Sequence, residues 1–457
     1  MLQEPFTERS VNSNTARNAE PEWGIKAIAA DSVWLDGITG QGVIIGGQDT
    51  GYDWKVSPIK NKYRGYTDEE NVDHNYNWFD AIHGKLAVTI PDSVANPCGF
   101  NAKEPCDDHN HGTHTMGTMV GLDEENIIGV APGAHWIACR NMDRGWGNIS
   151  SYIACFEWFI APTDLNGENA DPSKAPHVIN NSWYCNADED CFDYNLHIME
   201  DVINNVRAAG IVVVASAGNN GRFGCGSIDG PPAVYASSFS IGATDINNNI
   251  AGFSSIGPVT IDSSFRLKPN VVAPGVNVRS VIINGEYANF SGTSMAGPHV
   301  AGLVALMIAA NPKLAGEVSI IENMIQASSM RLTSETDCDP FSGAEIPNAI
   351  FGYGLVNAYS AVRRAKTYTP VSTEDIRENI RVIPNPVHDV VTFFVDKGDQ
   401  PVRALEIYNS NGVQVIQSTF QSGQILQTID TGNLQSGFYI YRIWVGDKSF
   451  TGRFVKI

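Results

Sequence analysis

The sequence predicts an α/β fold, a parallel sheet with helices on both faces, followed by a small C-terminal β-sandwich domain. Three observations predict it. Over the first two-thirds of the 457-residue chain, short apolar runs alternate with longer helical patterns, which is typical of β-α-β units. After residue 365 the composition turns polar and includes Pro370. From residue 381 onwards, short segments alternate apolar and polar residues, as the strands of a sandwich do.

The predicted strands of the parallel sheet are apolar runs near residues 42–48, 135–140, 177–182, 211–217 and 238–243. Helices are predicted near residues 111–121, 149–160, 192–209 and 294–310. Ligands of such sheets bind beyond the carboxyl ends of the strands, and Asp49 and Asn219 both follow such an end. His111 and Ser294 instead open helices, where backbone N–H groups favour negative charge on a substrate oxygen.

We divide the chain into an N-terminal extension, the α/β domain, a linker and the β-sandwich, with bounds at 1–21, 22–366, 367–380 and 381–457. The strands predicted for the sandwich are 391–395, 404–408, 413–416, 437–444 and 449–455. A hairpin turn is predicted at Asn409-Ser410-Asn411-Gly412.

Charge separates the two parts of the chain. The formal net charge is −20, and residues 381–457 hold 7 basic and 6 acidic groups, so the remainder carries −21. Such an acidic body disfavours nucleic acid or anionic lipid as a partner. No apolar run approaches the roughly 18 to 20 uninterrupted residues of a membrane span, so we expect no membrane-spanning segment. Residues 1–10 lack the pattern of a signal peptide, so we expect a longer precursor or a truncated start.

The eight cysteines include two close pairs, Cys98 with Cys106 and Cys185 with Cys191, which predict local disulfides. Eight cysteines allow 105 connectivities, so the remaining four stay unassigned: Cys139, Cys155, Cys225 and Cys338. Free buried thiols are the alternative, and zinc is disfavoured because no C-x-x-C spacing occurs. Disulfides would indicate export to an oxidising environment.

Four short motifs suggest acyl-transfer chemistry. Ser294 lies in GTSMAGPHVAG, where small residues open an apolar helix, and serine needs a base and an orienting acid to attack. His111 in HGTH and Asp49 in DTG are candidates for those roles, and Asn219 lies in SAGNNG. Each residue alone has a structural explanation, as a helix cap, a strand-end cap or a turn residue. The four together, in this order, favour catalysis.

These motifs resemble those of the subtilisin-like serine proteases, the subtilases, whose known order of acid, histidine and serine is the one found here. The resemblance covers roughly residues 22 to 365 and is strongest to the bacillopeptidase F-like branch. It implies a secreted endopeptidase acting on protein or peptide substrates. Ser294 would be the nucleophile, His111 the base, Asp49 the orienting acid and Asn219 the oxyanion donor. Residues 1–21 would then be the remnant of a pro-segment.

The resemblance also assigns the primary specificity pocket. Its walls and floor would be formed by Ser182, Trp183, Ala217, Gly218 and Gly230. Tyr184 stands where the family commonly has a small residue, and it would narrow the entrance. No organic cofactor is expected. Structural calcium is common in the family, but this chain has Ser57-Pro58-Ile59 where an aspartate ligand is usual, so calcium stays open and no ligand is named.

The C-terminal part carries a second resemblance. The segments PNPV, IYNSNGVQV, LQSGFYIYRI and the final TGRFVKI are similar to the C-terminal sorting domain of the type IX secretion system of Bacteroidetes. This implies the secretion machinery as a partner and a secreted or cell-surface location. A carbohydrate-binding or purely structural sandwich is the alternative.

Three other functions compete with this interpretation. An esterase is disfavoured because its acid and histidine follow the serine in the chain. A zinc site formed by His109, His111 and His114 with Asp107 and Asp108 is disfavoured because successive histidines are two and three positions apart, and not four. The main rival is a non-catalytic surface protein that keeps the subtilase fold and only binds.

Overall fold

A computed structural model of the chain describes residues 20–86, 94–186, 189, 191, 196–369, 380–395, 402–409, 413–420, 426–445 and 448–457. The chain divides into two compact units, Met1–Tyr368 and Thr369–Ile457. Most of the predicted N-terminal extension, most of the predicted linker and the turn residues 410–412 lie outside the described residues. The exact domain boundaries therefore stay predictions.

The strands of the first unit are β1 Ile44–Asp49, β2 Tyr66–Asp68, β3 Asn71–Val72, β4 Trp78–Asp80, β5 His135–Arg140, β6 Val178–Asn181, β7 Val212–Ser216, β8 Phe239–Thr244, β9 Val271–Pro274, β10 Val278–Val281 and β11 Tyr287–Phe290. Its helices are α1 Trp23–Ala27, α2 Ala30–Trp34, α3 Ser57–Lys60, α4 His111–Val120, α5 Ile149–Ile160, α6 Leu196–Ala208, α7 Thr293–Ala310, α8 Val318–Ser328 and α9 Ala358–Thr367.

Within the described residues, seven of these strands form one sheet in the order β4-β5-β1-β6-β7-β8-β9. All neighbouring strands in it are parallel. Alternate side chains of a strand point to opposite faces, and here each face has its own core. Val214 packs in one cluster with Val304 of α7, whereas Val213 packs in the other with Phe156 of α5. The prediction of a parallel sheet with helices on both faces is confirmed.

Helix α7 crosses the centre of the first unit. By length and composition alone it is long enough and apolar enough to span a membrane, but 89% of its residues are buried inside the structure. This is the environment of a core helix, and its all-round apolar sequence is explained by burial on every side.

Four disulfides join all eight cysteines. Two of them are the predicted pairs, Cys98–Cys106 and Cys185–Cys191, and those predictions are confirmed. The other two pairs are Cys139–Cys155, which joins β5 to α5, and Cys225–Cys338, which closes a long loop.

The second unit is an antiparallel β domain. Its strands are β12 Ile380–Ile383, β13 Val390–Val395, β14 Val402–Asn409, β15 Gln414–Thr419, β16 Leu426–Asp430, β17 Gly437–Val445 and β18 Lys448–Lys456. Among the described residues, β12-β13-β16 and β15-β14-β17-β18 form two sheets. Phe393 of the first sheet meets Tyr441 of the second with ring centroids 4.9 Å apart, in a core that both sheets share. The predicted C-terminal β domain is confirmed.

Candidate active site

The carboxyl end of β1 and the first residue of α4 meet in a buried hydrogen bond between a carboxylate and an imidazole. The Nδ1 of His111 lies 2.7 Å and 3.0 Å from the two carboxylate oxygens of Asp49. Both side chains are buried, with 1% and 0% of their surfaces exposed. Since Nδ1 is held by the carboxylate, Nε2 is the ring nitrogen left to accept a proton.

Two glycines allow these segments to approach each other closely. Gly51 has a positive φ of 105°, and a Cβ there would lie 1.8 Å from the carbonyl oxygen of Cys106. A Cβ on Gly112 would lie 2.0 Å from the carbonyl oxygen of Gly51. Neither position has room for a side chain, so the glycines of DTG and HGTH are explained by backbone contact.

Ser294 lies in the first turn of α7, with 8% of its surface exposed. Its hydroxyl donates to the carbonyl oxygen of Ser182 at 3.0 Å, and the hydroxyl of Ser182 donates back to the carbonyl oxygen of Ser294 at 2.8 Å. Among the hydrogen bonds of the described residues, none joins Ser294 to His111. The structure thus brings Asp49 and His111 together, and places Ser294 against the loop that follows β6.

Asn219 follows β7 and faces the start of α7. Its Oδ1 accepts hydrogen bonds from the backbone N–H and the hydroxyl of Thr293, each at 2.9 Å. These two bonds fix the carboxamide, and its Nδ2 lies 3.5 Å from where a Cβ on Gly292 would be. The amide donor is therefore held beside the segment that carries Ser294.

Comparison with known proteins decides the family. Residues 40–354 match the subtilase family, and residues 381–457 match a secretion system C-terminal sorting domain. The chain belongs to the subtilase family. Its C-terminal sorting domain implies that this subtilase is secreted or located at the cell surface.

Three similar proteins show how far the resemblance extends. The chain is 38% identical to bacillopeptidase F of Bacillus subtilis (strain 168) over 366 residues, which is 78% of this subtilase but only 23% of that protein. It is 31% identical to subtilisin Savinase of Lederbergia lenta over 346 residues, covering 75% of this chain and 98% of the other. An alkaline protease of Alkalihalobacillus alcalophilus is 30% identical over 363 residues, or 78% and 74% of the two chains.

The residues assigned to the substrate pocket of this subtilase are mostly buried. Ser182, Trp183 and Ala217 have 0%, 2% and 3% of their surfaces exposed. Trp183 stacks on Tyr152 with ring centroids 3.9 Å apart and planes 4° apart, so its ring belongs to the core behind the loop. Gly218, with a positive φ of 104°, is half-buried. The segment that follows β6 therefore packs on buried side chains of the core.

Tyr184 lies against Gly230, the glycine assigned to the pocket floor. A Cβ on Gly230 would lie 2.8 Å from Cδ2 of Tyr184. The backbone N–H of Cys185 donates to the carbonyl oxygen of Pro231 at 2.8 Å and holds the two segments together. The aromatic ring therefore fills the space that faces this glycine.

Two other histidines of the subtilase motifs are structural. The Nε2 of His114 lies 3.0 Å and 3.2 Å from the carbonyl oxygens of Val278 and Ala288, and its ring stacks on Phe290. Burial lowers the pKa of His114 to about 3 and that of His299 to about 4. Both rings are neutral at neutral pH, and His114 attaches α4 to the β10–β11 ribbon that leads into Ser294.

The sequence pointed to one residue of this site, Asp107, only as a member of an Asp/His cluster. The carboxylate of Asp107 accepts hydrogen bonds from Thr50 and from Thr113, the threonines of DTG and HGTH. The signal that could have found it is its position four residues before His111, close to the HGTH motif and its threonine.

The described residues offer this subtilase no carboxylate-rich metal site. No group of three or more His, Cys, Asp or Glu side chains there could hold a metal ion. Asp53 repeats the DTGxD pattern of the family, but its two carboxylate oxygens accept backbone N–H groups of Lys55 and Asn284 at 3.3 Å and 3.0 Å. Bound calcium stays open, without a named ligand.

Proposed function

We propose that this chain is a secreted serine endopeptidase that hydrolyses peptide bonds through an acyl-enzyme on Ser294. The observation that carries the proposal is the buried hydrogen bond between Asp49 and His111, at the edge of the sheet where the start of α7 presents Ser294. A buried carboxylate–imidazole pair is a costly way to stabilise a fold, because both groups lose their hydration. General base catalysis by His111 would explain why the fold keeps this pair.

The proposed reaction begins when Ser294 turns its hydroxyl from the carbonyl oxygen of Ser182 toward His111. This movement would be a rotation of the serine between staggered χ1 positions. His111 takes the hydroxyl proton at Nε2 as Oγ bonds to the substrate carbonyl carbon, and then gives it to the leaving amine. Asp49 holds the ring through Nδ1 and stabilises its cation. Water then attacks the ester with the same base, releasing the acid and restoring the serine.

Two donors would stabilise the negative oxygen of the tetrahedral intermediate. One is Nδ2 of Asn219, whose carboxamide is fixed by Thr293. The other is the backbone N–H of Ser294 itself, in the first turn of α7, where the N–H groups have no partner within the helix. Donors that are already in place act without reorganisation, which is why such sites lower the barrier.

We propose that the substrate is a protein or peptide bound in extended form beside the pocket segments. An extended peptide adds as a strand to such segments, and alternate side chains enter pockets. The side chain before the cleaved bond would meet Ser182, Ala217 and Gly218, and Tyr184 would limit its size at Gly230. We further propose that residues 381–457 engage the secretion machinery.

Labelling with a fluorophosphonate tests this proposal directly. Such probes phosphonylate a serine, with loss of fluoride, only when a neighbouring base activates it, so we expect peptide mass spectrometry to find the label on Ser294. Parallel samples with excess calcium and with a chelator test whether labelling depends on calcium, which the sequence leaves open. Absence of label on folded protein in all samples would favour the alternative hypothesis of a non-catalytic binding protein. In such a protein the Ser294 hydroxyl would keep its hydrogen bond to the carbonyl oxygen of Ser182.

Replacement of the nucleophile gives the first prediction. Ser294→Ala should abolish peptide hydrolysis, with a loss on the order of 10⁶ in turnover, a magnitude known from subtilisin itself. The substitution also removes the hydrogen bond to Ser182, so the thermal midpoint is measured alongside. Hydrolysis near the wild-type rate would contradict the mechanism.

A further inference from the structure

A buried carboxylate that the proposed mechanism does not use lies beside the Asp49–His111 pair. Asp107 is 5% exposed and accepts five hydrogen bonds. Its Oδ1 accepts from the hydroxyl of Thr50 at 2.8 Å and from the backbone N–H groups of His109 and Asn110 at 2.9 Å and 3.1 Å. Its Oδ2 accepts from the backbone N–H and the hydroxyl of Thr113 at 2.9 Å and 2.6 Å.

Thr50 connects this carboxylate to both members of the pair. While its hydroxyl donates to Asp107, it accepts from the backbone N–H of Gly112, the residue after His111, at 3.0 Å. The backbone N–H of Thr50 donates to a carboxylate oxygen of Asp49 at 2.8 Å. One threonine thus joins the acid, the start of the histidine helix and the buried carboxylate.

Thr113 makes a second connection on the other carboxylate oxygen. Its hydroxyl donates to Asp107 and accepts from the backbone N–H of Asp53 at 2.9 Å. Asp53 lies beyond the DTG turn, so the helix and the turn are joined again four residues after the acid. The hydroxyls of Thr50 and Thr113 each donate one hydrogen bond to Asp107 and accept one from a backbone N–H group.

The segment before Asp107 is itself fixed against the DTG turn. The backbone N–H of Tyr52 donates to the carbonyl oxygen of Cys106 at 3.1 Å, and Gly51 and Asp107 form a β-bridge. Cys106 is joined to Cys98 by a disulfide. The carboxylate is therefore mounted on a segment that cannot move away from the turn without breaking these contacts.

Helix capping alone does not account for this arrangement. Helix α4 begins at His111, and the preceding residue, Asn110, is in the left-handed conformation with φ 72° and makes no side-chain cap. In the first turn, the backbone N–H of Gly112 donates to the hydroxyl of Thr50, and that of Thr113 donates to the carboxylate of Asp107. An ordinary N-cap is the residue just before its own helix, and its side chain bonds the N–H groups of the first turn. Here Thr50, which follows β1, accepts one of these bonds, so the start of α4 is joined to the end of β1.

We propose that Asp107 is a positioning residue that fixes the separation and orientation of Asp49 and His111, acting through Thr50 and Thr113. The inference rests on the proposed function, since the pair matters only if His111 acts as a base. Loss of these contacts would leave both members present but loosely placed. A misplacement of about 1 Å can cost on the order of 10² in rate while substrate contacts persist.

Three substitutions test the proposal in the full chain. Asp107→Asn puts an NH2 group where one oxygen accepted donors, so one set of hydrogen bonds is lost whichever way the amide turns. Thr113→Val removes the hydroxyl and keeps the shape, whereas Thr113→Ser keeps the hydroxyl. Thr118→Val is the matched control, because Thr118 lies buried on the same helix and its hydroxyl donates to the carbonyl oxygen of His114.

We expect Asp107→Asn and Thr113→Val to lower kcat by about 10- to 100-fold, with KM within roughly threefold of wild type. Thr113→Ser should recover most of kcat, and Thr118→Val should retain it although it also removes a buried hydroxyl. The proposal is overturned if Thr113→Val hydrolyses as fast as Thr118→Val, or if only KM changes. If Asp107→Asn fails to fold, the comparison of Thr113→Val with Thr113→Ser tests the positioning role instead.

A spectroscopic measurement separates this proposal from the proposed function. The proton shared by His111 Nδ1 and Asp49 should give a far-downfield resonance in the proton NMR spectrum, visible whether or not the protein hydrolyses peptides. We expect Asp107→Asn and Thr113→Val to shift or broaden it, and Thr113→Ser and Thr118→Val to leave it in place. An unchanged resonance in all four variants would refute the positioning role, even if wild-type hydrolysis were absent.

Discussion

Asn219 uses the two ends of its carboxamide differently. The oxygen accepts two hydrogen bonds from Thr293, and the nitrogen is left beside Gly292 at the start of α7. The acceptor end is structural, because it fixes the side chain against the helix. The donor end is the one assigned to catalysis, so the two roles can be separated by a substitution that changes only one end.

Asn219→Asp makes that separation. The aspartate keeps an acceptor for Thr293 and replaces the donor with an oxygen that repels a developing oxyanion. We expect kcat to fall by at least about 10²–10³-fold with little change in KM, a magnitude taken from the corresponding donor in subtilisin. Steady-state hydrolysis of a peptide substrate measures it.

Asn247→Asp is the control for charge, since Asn247 is exposed in a loop of the first unit and the same charge is added. Its kinetics should match the wild type. Turnover of Asn219→Asp within a few-fold of this control would remove Asn219 from the oxyanion site.

The sequence predicted residue types better than residue contacts. The motifs around Asp49 and His111 named a pair that the structure joins by a buried hydrogen bond. The partner of the Ser294 hydroxyl was not predicted, because the carbonyl oxygen of Ser182 belongs to the backbone and no motif specifies it. The role of Asp107 was not predicted for a similar reason, because it depends on contacts with two threonines that are far apart in the chain.

At the level of elements, a buried lysine joins the starts of two strands. The Nζ of Lys268 donates to the carbonyl oxygen of Ser238, just before β8, and to Oδ1 of Asn270, just before β9, at 2.5 Å and 2.8 Å. Burial lowers the pKa of Lys268 to about 7, against the opposing attraction of Glu322 on α8. Both partners are neutral acceptors, so the ammonium is held without a direct counter-ion.

This pKa predicts how stability changes with pH. Below pH 7 both the folded and the unfolded lysine are protonated, so their difference is constant. Between pH 7 and about 10.4, the unfolded chain binds more protons, so the stability of the folded state rises with pH. We expect wild-type stability relative to Lys268→Met to increase by up to about 4 kcal/mol across this window.

Denaturant unfolding at a series of pH values measures this difference, with Ser294→Ala in both proteins to prevent self-digestion. Lys313→Met, at an exposed position, is the control and should show no such trend. A gap between wild type and Lys268→Met that is flat from pH 6 to pH 10, or that shrinks, would mean that Lys268 stays charged in the fold.

The elements themselves were predictable where they were long and apolar. Strand β5 and helix α5 have the predicted bounds, because β5 is a buried run after its first residue and α5 is a long, mostly apolar segment that begins at the Asn148 cap. Strand β4 was missed because three residues are too few to show a period. Strand β9 was missed as well, since its four buried residues end at Pro274. The β10–β11 ribbon was not predicted, because neither of its four-residue strands alternates clearly between buried and exposed side chains.

At the scale of the whole molecule, two units with different charge have separate cores. The second unit has its own cluster of buried residues, drawn from both of its sheets. In that unit β12 and β16 were not predicted, because their polar residues obscure the alternation in short segments. The division into a protease part and a tail was visible because composition changes abruptly after residue 365.

The separate core of the tail leads to the final prediction, that residues 381–457 are necessary and sufficient for export by the matching secretion system. Deleting them should retain the protein inside the cell and leave peptide hydrolysis by the purified first unit unchanged, because Asp49, His111 and Ser294 all precede residue 369. Fusing them to a reporter that already carries an inner-membrane export signal should deliver the reporter to the medium or the cell surface.

A fusion with Phe393→Asp is the matched control for folding of the tail, since Phe393 is fully buried between the two sheets and an unpaired charge there is costly. We expect this fusion to remain in the periplasm, which would show that the folded sandwich, and not its sequence alone, is recognised. Quantitative immunoblotting of cell, periplasm and medium fractions measures each case. Export of the tail-deleted protein at the wild-type level would instead mean that residues 381–457 serve another purpose, such as binding a carbohydrate at the surface.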